Sequence, residues 1–304
     1  MLKFKNAFFI LFVLLSFVSC KKRKEQRNAE NDSITINGEK RDYLWYEPSN
    51  LSTAKIPLLF CFHGGGGSAK NTYTAYGFNE IAEREKFIVV YPNGYDKNWN
   101  DGRNGTCIDQ THDDAKFISE LLVLFVTKYN IDTTKIFATG MSNGAIFTNY
   151  LAHKLPGKFK AIAPVCGSIS EPIANSYASL PCSVIMINGT DDELVKYEGG
   201  FVTKKECRGK VISVDETLSK WKLINQINSY ATVEAIPNIV SKDDCSATLY
   251  NYIGGVNNTK VSLIKVEKGG HQWPGKDARK ITSAGNKCED FNASQVIWDF
   301  FKTL

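Results

Sequence analysis

Residues 135–155 read KIFATGMSNGAIFTNYLAHKL. A short apolar run breaks at Gly140, and a helix-like run begins at Ala145. Between them, Gly140-Met141-Ser142-Asn143-Gly144 forms a G-x-S-x-G turn from strand to helix. The turn is too tight for bulky flanking side chains. It lifts the Ser142 hydroxyl above a sheet edge and aims a helix N-terminus at it, the setting in which a serine can act as a nucleophile. A bare G-x-S-x-G also arises by chance. The strand before and the helix after give this one its meaning, and they commit the chain to alternating strands and helices.

That alternation runs through the chain. Residues 33–36 and 43–46 flank Asn37-Gly38, which predicts an antiparallel hairpin at the start. Short apolar runs follow at 56–62, 87–91, 135–139, 161–165, 183–187 and 261–266. Fully apolar strands of this length belong to a parallel sheet covered by helices on both faces. Helical spacing predicts helices at 79–85, from Asp113 or Asp114 to about 129, at 145–155, 217–227 and 295–302. The fold class is α/β, a doubly wound, mostly parallel sheet with an antiparallel start.

Three more segments fall at strand ends. His63-Gly64-Gly65-Gly66-Gly67 follows the strand at 56–62. Glycines there let backbone N–H groups approach a reacting carbonyl, and the N–H groups of Gly65 and Asn143 are the expected oxyanion donors. A phosphate-binding loop is disfavoured, because no Lys-Ser/Thr follows. His63 is expected to shape the loop. Asn188-Gly189-Thr190-Asp191-Asp192 follows the strand at 183–187 and offers an acid to orient a histidine, with Asp191 and Asp192 both open. Of four histidines, only His271, in Gly269-Gly270-His271-Gln272-Trp273, lies after a late strand and downstream of both the serine and the aspartates. That order, serine then acid then histidine, suits an open α/β sheet. His112 and His153 read as surface or helix polarity.

The chain opens with Lys3 and Lys5, twelve nearly continuous apolar residues at 7–18, and Val18-Ser19-Cys20. A spanning helix needs about 20 apolar residues, so this is a signal segment. A small residue followed by cysteine resembles a bacterial lipobox, which predicts cleavage after residue 19 and lipidation of Cys20. Residues 20–33 read as the lipidated cysteine and a polar tether, and residues 34–304 as one domain. The expectation is an exported protein, lipid-anchored at a bacterial cell envelope. Residues 1–30 hold seven of the 37 Lys/Arg and two of the 32 Asp/Glu, so the net +5 belongs to the leader and tether. The basic balance is therefore no argument for nucleic acid. Seven cysteines follow Cys20, in no zinc pattern, and an odd number leaves at least one free in a monomer. Cys61 and Cys166 sit in apolar runs and read as buried small hydrophobes.

The segments LLFCFHGGGGSAKN, FIVVYPNGYDKNWNDGR, GMSNGAIFTNYLA, INGTDDELVKYEGG and GGHQWPG, in this order, resemble the α/β-hydrolase esterases that include extracellular polyhydroxybutyrate depolymerases, feruloyl esterases and acetylxylan esterases. The resemblance spans residues 56–298. It implies Ser142 as nucleophile, His271 as base and Asp192 as the acid, with Trp99 and Trp273 lining the substrate cleft. It implies a serine hydrolase acting on carboxylic esters without metal or organic cofactor. Feruloyl or acetyl esters of plant polysaccharide are the favoured substrates, and a polyester is the alternative. A peptidase and a non-catalytic binder on the same scaffold are the remaining rivals. Ala145 stands where the family commonly has a second glycine, a small departure within the first helical turn.

Overall fold

A computed structural model of the chain describes residues 30–304 except 52, 177–179 and 277. The expected signal segment and Cys20 lie outside the described residues.

Twelve strands are present among the described residues: β1 (Glu30–Ile36), β2 (Glu39–Tyr46), β3 (Ile56–Phe62), β4 (Ile88–Pro92), β5 (Ile131–Met141), β6 (Ala161–Val165), β7 (Ser183–Gly189), β8 (Gly200–Phe201), β9 (Lys210–Val211), β10 (Thr232–Ile236), β11 (Ser246–Tyr252) and β12 (Val261–Glu267). Ten of them form one sheet in the order β1-β2-β4-β3-β5-β6-β7-β12-β11-β10, and β8 pairs with β9 apart from it. The strands from β4 to β12 in that order run parallel. The β1–β2 hairpin joins one side antiparallel, and β11 and β10 close the other side antiparallel. That second antiparallel edge was not anticipated. The start of β1 also corrects the tether boundary, since residues 30–33 pair with residues 42–45 of β2. Being an edge strand, β1 needs no apolar residue there, and Asp32 accepts a hydrogen bond from Tyr43 Oη at 3.0 Å.

The helices are α1 (Ala69–Ala75), α2 (Phe78–Glu85), α3 (Asp114–Lys128), α4 (Asn143–Lys154), α5 (Glu171–Ala174), α6 (Val214–Ile224) and α7 (Ala293–Phe301). Alternation along β3 shows how they cover the sheet. Leu58, Phe60 and Phe62 join Phe117 and Leu121 of α3, Phe147 and Leu151 of α4, and Trp221 of α6 in one core. Leu59 and Cys61 face the opposite core, with Phe78 and Ile81 of α2 and Ile297, Trp298 and Phe301 of α7. Truncating one of these buried aromatics would cost about 3–5 kcal/mol. The consequence for function is positional. The parallel strands end along one edge of the sheet, and the loops that leave β3, β5, β7 and β12 meet there.

Candidate active site

Ser142 sits between β5 and α4 with φ 59° and ψ −124°, a conformation that residues other than glycine seldom adopt. Close packing holds it there. A β-carbon on Gly140 would lie 2.6 Å from Gly144 O, and one on Gly144 would lie 2.5 Å from His63 O. Neither position has room for a side chain. The Ser142 N–H donates to Val165 O at 3.0 Å, which ties the turn to the end of β6. A β-carbon on Gly167 would lie 2.6 Å from Ala145 Cβ, so Gly167 leaves the space that the Ala145 methyl occupies.

Asp192 and His271 meet across the ends of β7 and β12. His271 Nδ1 lies 2.6 Å from Asp192 Oδ2, and both residues are buried, with side chains 4% and 2% exposed. The other carboxylate oxygen of Asp192 accepts the N–H groups of Leu194 and Val195, each at 2.8 Å. These bonds fix the carboxylate before it meets the imidazole. Asp191 points elsewhere. It is exposed, and its carboxylate accepts from its neighbour Thr190 Oγ1 at 3.1 Å. The Asp191 backbone N–H donates to Gly269 O at 2.9 Å, so the acid loop and the histidine loop are stitched together directly.

Cys166, the residue after β6, lies between the serine turn and the histidine loop. Its thiol donates to Gln272 O at 3.2 Å. Its sulfur, the Asp192 carboxylate and the His271 ring lie within 4.8 Å of one another. Three such groups could in principle hold a metal. Burial, followed by the neighbouring Asp192 charge, pushes the thiol pKa well up. A protonated thiol is a poor ligand, and the carboxylate already has three partners, so the chemistry of the set favours a hydrogen-bonded cluster.

The loop after β3 is held from below by His63. Gly94 N–H donates to its Nε2 at 2.9 Å, so Nδ1 carries the proton and donates to Gly64 O at 2.8 Å. A β-carbon on Gly64 would lie 3.3 Å from Ser142 Cβ, which places this loop against the Ser142 turn. Gly66 N–H donates to Lys97 O and Gly67 N–H to Gly64 O. The Gly65 N–H has no acceptor among the described residues. Asn143 opens α4, where an N–H has no intrahelical acceptor.

Burial lowers the His63 pKa from 6.5 to about 4, against the weaker opposing effect of its bond to Gly64 O. The folded value lies below the unfolded one, so falling pH protonates the unfolded chain first. This contribution to stability is complete above about pH 6.5 and is lost as pH falls toward 4, by on the order of 3 kcal/mol. Urea unfolding of the wild type and of His63→Asn from pH 7 to pH 4 checks this. The wild type should lose more stability over that window, and parallel profiles would rule His63 out as the cause.

A buried network that sequence reasoning missed supports the Asn143 side. Asn143 Nδ2 donates to Asp101 Oδ2 at 2.6 Å and to Trp99 O at 3.0 Å, while Asn143 Oδ1 accepts Trp99 N–H at 2.8 Å. Asp101 in turn pairs with Arg103 at 2.7 Å, with both side chains at most 1% exposed. The segment NWNDGR carried the signal, since an Asp and an Arg two residues apart can close a local ion pair. The expectation that Trp99 lines the cleft is corrected. It is fully buried, stacked on Phe147 at 4.8 Å, and its Nε1 donates to His63 O at 2.9 Å. Its ring is core behind the glycine loop. Trp273 stacks on Tyr76 at 4.0 Å and borders a cavity of about 510 Å³ with Gly77, Arg84, Pro274 and Gln295. Neither Ser142 nor His271 lines that cavity.

Comparison with known proteins follows the same segments. The family described as esterase PHB depolymerase matches residues 41–197, just over half of the chain. The chain belongs to this esterase family. Among relatives, the bifunctional acetylxylan esterase/xylanase XynS20E of Neocallimastix patriciarum is 25% identical over 251 residues, 83% of this chain and 34% of that protein. Feruloyl esterase B of Talaromyces stipitatus is 32% identical over 162 residues, 50% of this chain and 44% of that protein. The chain thus spans less than half the length of these relatives. Among solved structures, an acetyl xylan esterase from Aspergillus awamori superposes with a TM-score of 0.55 at 16% identity, covering 78% of this chain and 92% of that one. At that identity the likeness shows the fold, an α/β-hydrolase.

Proposed function

We propose that this member of the esterase family is an exported serine esterase, with Ser142 as nucleophile, His271 as base and Asp192 as the acid that orients it. The observation that carries the proposal is the buried Asp192–His271 hydrogen bond at 2.6 Å, made along the sheet edge that also holds Ser142 in its positive-φ turn. With its Nδ1–H committed to Asp192, the imidazole has Nε2 as its basic nitrogen. Nε2 takes the Ser142 proton as Oγ attacks the ester carbonyl. The oxyanion is held by the N–H groups of Gly65 and Asn143, and each such donor typically contributes about 3 kcal/mol in the transition state. The alcohol leaves with the proton from His271, and water, activated by the same nitrogen, hydrolyses the acyl-enzyme.

The substrates proposed are feruloyl or acetyl esters of plant polysaccharide. The relatives are named for acetylxylan and feruloyl esters, which supports this choice. The family description favours a polyester as the second reading. Export is supported by the apolar leader and by the disulfide between Cys107 and Cys207, a bond suited to an oxidising compartment. The leader's end at Val18-Ser19-Cys20 supports lipid anchoring through Cys20. The test uses the full chain and its Cys20→Ala variant, fractionated and then assayed on methyl ferulate, acetylated xylan, a hydroxybutyrate oligomer and a peptide amide. The wild type should pellet with membranes and the variant should not. Activity highest on the first two supports polysaccharide esters. Highest activity on the oligomer transfers the reading to polyesters, and activity on the amide alone overturns it.

A further inference from the structure

The segment from β8 into β9 carries Lys204, Lys205, Arg208 and Lys210 against a single acid, Glu206. Lys204 pairs with Glu193, and Lys210 lies 3.8 Å from Glu171. Arg208 is different. It is half-buried, and among the described residues its guanidinium meets no carboxylate and no hydrogen-bond acceptor. Its backbone is nevertheless held in place. Cys207, the residue before it, is bonded to Cys107, and Cys107 N–H donates to Cys207 O at 2.7 Å. The residue after it, Gly209, accepts from Val202 N–H at 3.0 Å.

The bridge delivers the guanidinium to the glycine loop. A β-carbon built on Gly65 would lie 3.6 Å from Arg208 Nη1, 3.6 Å from Asn143 Cβ and 3.1 Å from Asn98 Oδ1. Asn98 Oδ1 is itself buried and has no hydrogen-bond partner. A cation without an acceptor and a buried acceptor without a donor therefore flank the site where the oxyanion donors converge. Leaving the buried Asn98 oxygen unfilled is costly, and a bound molecule that donates to it recovers that cost, while the half-buried guanidinium beside it is free to meet an anion.

From this we infer that Arg208 and Asn98 form a subsite for a carboxylate on the substrate, close to the ester under attack. Arg208 donates to the carboxylate, and Asn98 Oδ1 accepts from a neighbouring hydroxyl, the pairing found in a hydroxy acid or a uronic acid. The inference rests on the serine esterase reading and narrows it to esters that carry an acidic group. The carboxylate can lie in the acyl half or in the alcohol half, and the test separates the two.

The experiment measures kcat/KM of the full chain on two matched pairs of aryl esters. The acyl-side pair is 4-nitrophenyl hemisuccinate and 4-nitrophenyl butyrate. The alcohol-side pair is 4-carboxyphenyl acetate and 4-carbamoylphenyl acetate. The readout is the anionic-to-neutral ratio within each pair, for the wild type, Arg208→Gln and Arg208→Lys. In one pair the ratio should fall about tenfold or more in Arg208→Gln, and Arg208→Lys should restore part of it. The same ratio in the wild type should shrink as salt is raised from 0.01 to 0.5 M, a check that needs no variant to fold. Unchanged ratios in both pairs, or a salt-independent ratio, overturn the subsite. A wild type that fails on all four esters overturns the esterase reading instead, so the two failures are distinct.

Discussion

Replacing Ser142 by alanine is expected to cut turnover of an activated ester by on the order of a millionfold, close to 8 kcal/mol of transition-state stabilisation. The loss is that large because, in the proposed mechanism, the hydroxyl is the atom that bonds to substrate, and neither water nor a neighbouring group stands in its place. The fold should survive. The Ser142 side chain makes no cap bond to α4, and the turn is held by backbone contacts at Gly140, Gly144 and Val165 that alanine leaves in place. The measurement is hydrolysis of 4-nitrophenyl acetate by a variant whose circular dichroism matches the wild type. Residual turnover above a few per cent would assign the nucleophile elsewhere.

The second large effect separates two adjacent carboxylates. Asp192→Asn should lower turnover by on the order of ten-thousandfold, because an amide facing His271 Nδ1 favours the wrong imidazole tautomer. Asp191→Asn should change turnover little, since that side chain is exposed and reaches only Thr190. Both variants are assayed on one ester at one pH. A dead Asp191 variant beside an active Asp192 variant would reverse the roles. Two active variants would remove the acid from this loop altogether. Asp215 and Asp243 offer no ready substitute. Asp215 accepts from Tyr197 Oη at 2.9 Å, and Asp243 accepts the N–H groups of Cys245 and Glu289.

The parallel half of the sheet was legible because those strands are buried on both faces and read as plain apolar runs, as at β3, β6 and β7. β10 and β11 escaped for the opposite reason. Val233 is 61% exposed, Glu234 is exposed, and SATLYNY is half-buried from Thr248 to Tyr252, so no apolar run marks either strand. The same logic hid α1, seven residues whose visible mark is a Ser68 cap on Asn71 N–H. The helix expected at 217–227 begins three residues earlier, at Val214, where Ser213 and Glu216 close a capping box that the spelling S-x-x-E announces. At the candidate site, position in the motifs singled out Ser142, His271 and the aspartate pair. Which aspartate faces the imidazole depends on the direction of the backbone at one residue, and no pattern of residue types encodes that. The burial of Trp99 is likewise a tertiary fact, since Phe147 and His63 reach it from distant parts of the chain.

On the proposed mechanism, the positive φ at Ser142 also sets stability and turnover against each other. A residue other than glycine held in so sparse a region of backbone space typically stores on the order of 1–3 kcal/mol, and the surrounding packing supplies that energy throughout the life of the molecule. Glycine would occupy the same turn without the strain, and the protein would become more robust as it became inert. Laboratory evolution for heat tolerance alone would therefore have an easy route through the proposed nucleophile. Only a screen that reads hydrolysis after heating keeps the serine in place.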